Sequence, residues 1–225
     1  MKRLSLTTIL LLFLLGVCAP PVTAELFEGV RAYRKGDFAA ARAELGGNEA
    51  WSPLAQYTLG LIYFGGEGVA QDVAKGVALF ERAAGTGYAA ARYALGVCCL
   101  YGTGTKKDPN RARQLLAAAA AGKDYRAAAY LRILKKGSRG EKRDRQAMVE
   151  AVRQAARAKD PDAQYTLALM YLFGDGVPKD PAQEIRWYQA AAANGNPRAS
   201  FTLAQMYFHG EGVPRSEEKA VRYVR

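Results

Sequence analysis

Apolar and small residues return along this chain at a fixed spacing of 36 residues. An alanine stands at Ala55, Ala91, Ala127, Ala163 and Ala199, and four residues beyond each comes a leucine: Leu59, Leu95, Leu131, Leu167 and Leu203. In the first copy Ala55, Leu59, Ile62 and Tyr63 fall at helical spacing and form one apolar stripe. A glycine follows each alanine by thirteen residues, at Gly68, Gly104, Gly140, Gly176 and Gly212. Each copy therefore reads as a first helix, from near Leu54 to Phe64 in the first, then a glycine loop and a second helix. Such a helix pair cannot bury its own apolar face and must stack on its copies, which predicts an all-α solenoid of helix-turn-helix repeats.

The start of the second helix is equally regular. Asp72, Asp108, Asp144, Asp180 and Ser216 lie seventeen residues after each alanine, and all are residue types that accept a hydrogen bond from a free helix amide as N-caps. Pro109 and Pro181 follow two of them, at a position where a missing amide costs nothing. One carboxylate per repeat, each on its own helix start, predicts capping rather than metal or acid/base chemistry. The second helix then carries a bulky pair, such as Leu79-Phe80 or Trp187-Tyr188, and a pair of alanines. Gly60, Gly96, Ala168 and Ala204 are small where two helices should approach closely.

The third copy departs from this pattern. Arg132 stands at the small position, Ala151-Val152 replace the bulky pair, and the loop Gly137-Ser138-Arg139-Gly140 lacks the valine found after other loops. We expect it to be the least rigid unit. Ahead of the repeats, residues 25–50 predict an N-terminal capping hairpin with Gly36-Asp37 at its turn. The repeats follow at 51–86, 87–122, 123–158, 159–194 and 195–225, the last incomplete. Residues 1–24 read as a signal peptide: Lys2 and Arg3 precede an apolar run, Leu4 to Val17, and Val22-Thr23-Ala24 is a small-residue cleavage site. The run is too short to span a bilayer, so the mature chain is expected in the periplasm or secreted, with no transmembrane segment.

Charge changes the picture in one place. The chain carries 32 basic and 21 acidic residues, and the excess is densest in the third repeat, where Lys135, Lys136 and Arg139 form a candidate basic patch. A nucleic-acid recognition motif is absent from the sequence, so an envelope glycan is the alternative anionic partner. Cys98 and Cys99 are adjacent on a predicted helix, where their side chains diverge. They read as buried free thiols. No nucleophile has a base at a motif spacing, the one histidine, His209, is not repeated, and the glycine loops lack the lysine of a phosphate-binding loop. The sequence predicts no catalytic residue, no metal and no cofactor.

The stretches AQYTLGLIYFGGEGVAQDVAKGVALFERAA at Ala55 to Ala84 and AQYTLALMYLFGDGVPKDPAQEIRWYQAAAANGNPRA at Ala163 to Ala199 resemble the Sel-one-like repeat, a relative of the tetratricopeptide repeat. The resemblance implies a right-handed α-solenoid that acts as an adaptor or scaffold for another protein or peptide. It also implies that first helices line a concave surface, which places Tyr57, Tyr93, Tyr165 and Phe201 two residues after the alanine, and Phe64, Leu172 and Phe208 nine residues after it, on a partner-binding ladder. Packing against the next repeat is the competing role for the same rings. Ala129 and Lys136 interrupt the ladder in the third copy. A hydrolase or β-lactam-binding protein is a further alternative, although the cysteine-rich branch linked with β-lactams carries disulfides in each repeat and this chain has none to offer.

Overall fold

The computed structural model describes residues 22–47, 49–50 and 52–224. The segment expected to be a leader lies outside these residues, apart from 22–24. The described residues form twelve helices and no strand. They are α1 (Val22–Lys35), α2 (Phe38–Gly46), α3 (Pro53–Gly65), α4 (Val73–Gly85), α5 (Ala89–Tyr101), α6 (Pro109–Ala121), α7 (Tyr125–Lys136), α8 (Glu141–Arg157), α9 (Pro161–Phe173), α10 (Pro181–Ala193), α11 (Pro197–His209) and α12 (Glu217–Val224). This is an all-α repeat fold of the α-solenoid class, divided into two compact units, Glu25–Gln154 and Ala155–Arg225.

Within residues 25–154 the α3/α4 and α5/α6 hairpins are tightly paired, and the second helix of each packs on the first helix of the next. The reason is visible between α3 and α4. A Cβ at Gly60 would lie 2.6 Å from the Phe80 ring, and one at Gly76 would lie 2.9 Å from the Gly60 carbonyl oxygen. Two glycines thus let the helices touch backbone to ring. Leu59, Ile62, Phe80, Leu95 and Leu116 fill the interior. In residues 155–225 the same arrangement gathers Leu203, Met206, Tyr188 and Phe208 into one core.

The loops keep their form by two devices. First helices α3, α5, α9 and α11 end on Gly66, Gly102, Gly174 and Gly210 in the left-handed conformation. The capping residue of the following helix then donates its amide back across the loop, Asp72 to Tyr63, Asp108 to Cys99, Asp180 to Tyr171 and Ser216 to Tyr207, at 2.8–3.2 Å. The later loop glycine has a second duty, since a Cβ at Gly104 would lie 2.6 Å from Val73 of the preceding repeat.

Four of the five expected caps are caps. Asp72, Asp108 and Asp180 accept amide hydrogen bonds at the starts of α4, α6 and α10, and the Ser216 hydroxyl accepts from the Lys219 amide. Asp144 is the correction. Glu141-Lys142-Arg143 stand where the other loops carry valine or threonine, then alanine, lysine or proline, and these good helix formers let α8 begin at Glu141, ahead of Asp144. The Asp144 amide consequently bonds to the Gly140 carbonyl inside the helix, and the return bond across the loop is not made. Gly137 ends α7 at φ 94°, ψ 127° rather than in the left-handed helical region, and a Cβ at Gly140 would meet nothing within 4 Å.

Candidate functional sites

The third repeat contains a cleft of about 560 Å³. Ala129, Arg132, Ile133 and Lys136 of α7 line one wall, Gly137 and Arg139 the loop, and Arg143, Asp144, Ala147 and Ala151 of α8 the other wall. Arg132, Lys136, Arg139 and Arg143 are exposed, while Ala129 is buried beneath them and Ile133 half-buried. Among the described residues no carboxylate lies within ion-pair distance of Arg132, Lys136 or Arg143. Of the expected basic patch, Lys136 and Arg139 belong to this cleft. Lys135 is exposed but does not line it.

Asp144 fixes the floor of the loop. It is 1% exposed and accepts hydrogen bonds from the Ser138 hydroxyl, from the Arg139 amide at 2.9 Å and from the Tyr101 hydroxyl at 2.8 Å. Burial pushes its carboxyl up, but the Ser138, Arg139 amide and Tyr101 hydrogen bonds, with the Arg139 charge, outweigh that and hold it below its ordinary value. A carboxyl lowered in the folded state stabilises the fold above the ordinary carboxylate range, about pH 4, and loses that contribution as pH falls through and below it. The urea midpoint of the protein should therefore exceed that of Asp144→Asn at neutral pH, and the two should converge in acid. Equal midpoints at neutral pH would show that the carboxylate does not hold the loop.

The aromatic ladder is mostly interior. Tyr57 and Tyr93, expected to face a partner, are 2% and 4% exposed. Tyr57 packs on Phe80 and on Tyr88 of the next repeat, with ring centroids 5.7 and 5.6 Å away. Tyr93 lies 5.9 Å from Tyr130 and has the Arg126 guanidinium 4.2 Å above its ring. Leu172 and Phe208 are buried as well, so Tyr57 and Tyr93 serve repeat stacking and all four are interior. Phe64 and Tyr165 are half-buried. Arg198 lies 4.6 Å over the Tyr165 ring, and Phe201, 51% exposed, stands at the equivalent position of the following repeat.

Arg126 and Asp124 are the pair that spacing did not single out. Asp124 caps α7 through the Arg126 and Ala127 amides and also receives the Arg126 guanidinium at 2.7 and 3.1 Å. The arginine side chain is fully buried. Cys98 and Cys99 are free and buried as expected, and burial, with Cys99 beside it, pushes the Cys98 thiol up to about 12. No group of three histidine, cysteine, aspartate or glutamate residues suited to a metal exists among the described residues. Nor, among them, is any helix long and apolar enough to cross a membrane.

Stacked helix hairpins at a 36-residue period, closed by glycine loops and aspartate caps, define a helical-repeat protein. The Sel1 repeat model matches residues 53–87, 89–124, 161–196 and 197–225, and the chain belongs to the Sel1 repeat family. Its members generally mediate protein–protein interactions. The unmatched interval 125–160 covers all but the first two residues of the third repeat, where the loop and cap also depart from the rest. No curated protein matches the chain. Among solved structures it is similar to a protective antigen present in uropathogenic Escherichia coli strains displaying an SLR fold, at 26% identity and a TM-score of 0.49, over 90% of this chain. The match spans only 44% of that protein's length. It is also similar to a Sel1 repeat protein from Oxalobacter formigenes, at 26% identity and a TM-score of 0.48, over 88% of this chain and 80% of that one.

Proposed function

We propose that this protein is a non-enzymatic adaptor or scaffold of the cell envelope, exported with removal of residues 1–24, that binds a protein or peptide through the first-helix face of residues 155–225. The observation that carries this reading is Phe201. It is the large apolar side chain that stands exposed among the described residues, at the ladder position where the rings of Tyr57 and Tyr93 are covered. Half-buried Tyr165 occupies the same position one repeat earlier. Exposed rings of this kind contribute rigid contact area at low entropy cost and are common anchors of protein interfaces.

A photo-crosslinking residue at Phe201 tests the reading in the producing cell, with the same probe at exposed Arg186 on α10 as the control. A discrete protein adduct from position 201 alone is the expected result, and Phe201→Ala should abolish co-purification of that protein. Equal labelling from both positions, or none from a folded and exported protein, would overturn the assignment of this face.

A further inference from the structure

We infer that the third-repeat cleft is a docking site for an acidic segment of a polypeptide, separate from the Phe201 face. The cleft exists because three positions are exchanged against the rest of the repeat array. Where Arg132 stands, the other repeats have Gly60, Gly96, Ala168 and Ala204. At the two glycines the hairpin closes so far that a Cβ on Gly60 would strike Phe80, and one on Gly96 would lie 3.0 Å from Leu116. An arginine does not fit such a contact, so α7 and α8 do not close in that manner. Ala129 takes the place of Tyr57, Tyr93, Tyr165 and Phe201, and Ala151 that of Leu79, Leu115, Trp187 and Tyr223. A ring and a bulky side chain are thus missing from the same wall-to-wall space, and Ala129 and Ala151 both line the opening.

The rim is exchanged in the same way. Lys136 replaces Phe64, Leu100, Leu172 and Phe208, and Arg139 replaces Glu67, Thr103, Asp175 and Glu211. With Arg132 and Arg143, four cations surround a short aliphatic floor of Ala129, Ile133, Ala147 and Ala151, and the one lining carboxylate, Asp144, is occupied by three donors. Arginine forks favour carboxylates in bidentate geometry, and the floor suits the methylene and methyl groups between them. A sugar chain would find little here, because the lining holds no aromatic ring to stack on and no free amide or carboxylate to accept its hydroxyl protons. Charge complementarity and floor chemistry together select an acidic peptide over an anionic glycan.

The test uses the full chain and fluorescence anisotropy with three labelled probes: a peptide alternating glutamate and alanine, its glutamine counterpart, and an oligogalacturonate. The glutamate peptide should bind at least about tenfold more tightly than the glutamine peptide and weaken as salt rises past physiological strength. Arg143→Glu, at an exposed position, should reduce that binding about tenfold or more with an unchanged circular dichroism spectrum. The double variant Arg132→Gly, Ala129→Tyr restores the first-repeat residues at two of the three exchanged positions and should abolish binding by placing a ring in the cleft and removing one of its cations. Equal binding of the glutamine peptide, or indifference to Arg143→Glu, would overturn the proposal. Tighter binding of the oligogalacturonate would overturn it in favour of a glycan site. Neither outcome touches the crosslinking result at Phe201.

Discussion

Asp124→Ala is expected to destabilise the unit of residues 25–154 by about 3–5 kcal/mol, the usual consequence of leaving one partner of a buried ion pair uncompensated. Asp124 and Arg126 are 6% and 0% exposed, and they meet through two guanidinium contacts at 2.7 and 3.1 Å. The alanine variant removes both carboxylate contacts from a guanidinium that is fully buried and packed over the Tyr93 ring. It also removes the cap from α7. Asp160→Ala separates the two effects, because Asp160 caps α9 through the Asp162 and Ala163 amides and carries no buried arginine; it should cost only about 1 kcal/mol. Urea denaturation of both variants is the measurement. If Asp124→Ala is no worse than Asp160→Ala, the ion pair contributes nothing beyond the cap.

The hairpins, their loops and four of the five caps were legible because each follows from a local rule repeated at a fixed interval. Asp72 caps α4 for reasons contained within four residues of chain. What escaped the sequence was non-periodic or depended on a neighbour. Asp144 sits at the capping register, yet the three residues before it favour helix more strongly than loop, and the helix simply starts earlier. Asp124 shares a capping register with Ser52, Asp160 and Asn196, but nothing in the period marks its ion pair, since the register of Arg126 holds Leu54, Ala90, Asp162 and Arg198 in the other copies. The ladder was placed by resemblance on the exposed side of the first helices. At Tyr57 and Tyr93 the following repeat contributes Tyr88 and Arg126 to cover the ring, a contact that depends on residue types at a different offset. The oddities of the third repeat were all visible as letters. Their joint consequence, an open cleft, required knowing that Gly60 touches Phe80 and that Tyr57 packs beside it.

The same contact yields the second large effect. Gly60→Arg in the first repeat, copying the third repeat's Arg132, is expected to cost about 3 kcal/mol or more. The introduced Cβ alone would sit 2.6 Å from the Phe80 ring. That ring cannot yield, because it is 2% exposed and held by Tyr57 at 5.7 Å and Phe64 at 5.8 Å. Either Phe80 leaves the core, at the roughly 3–5 kcal/mol typical of a lost buried phenylalanine, or α3 and α4 separate and expose the Gly60–Gly76 approach. Gly60→Ala should show the steric part by itself. Its gain in helix propensity, about 1 kcal/mol, opposes an overpacking cost of about 1–3 kcal/mol, leaving a modest net loss. The decisive comparison is with Arg132→Gly, which places the small residue where the ring and the bulky partner are already missing and should change stability little. A Gly60→Arg variant as stable as the parent would mean that the α3/α4 hairpin opens at no cost, and the third repeat's cleft would then need an origin other than Arg132.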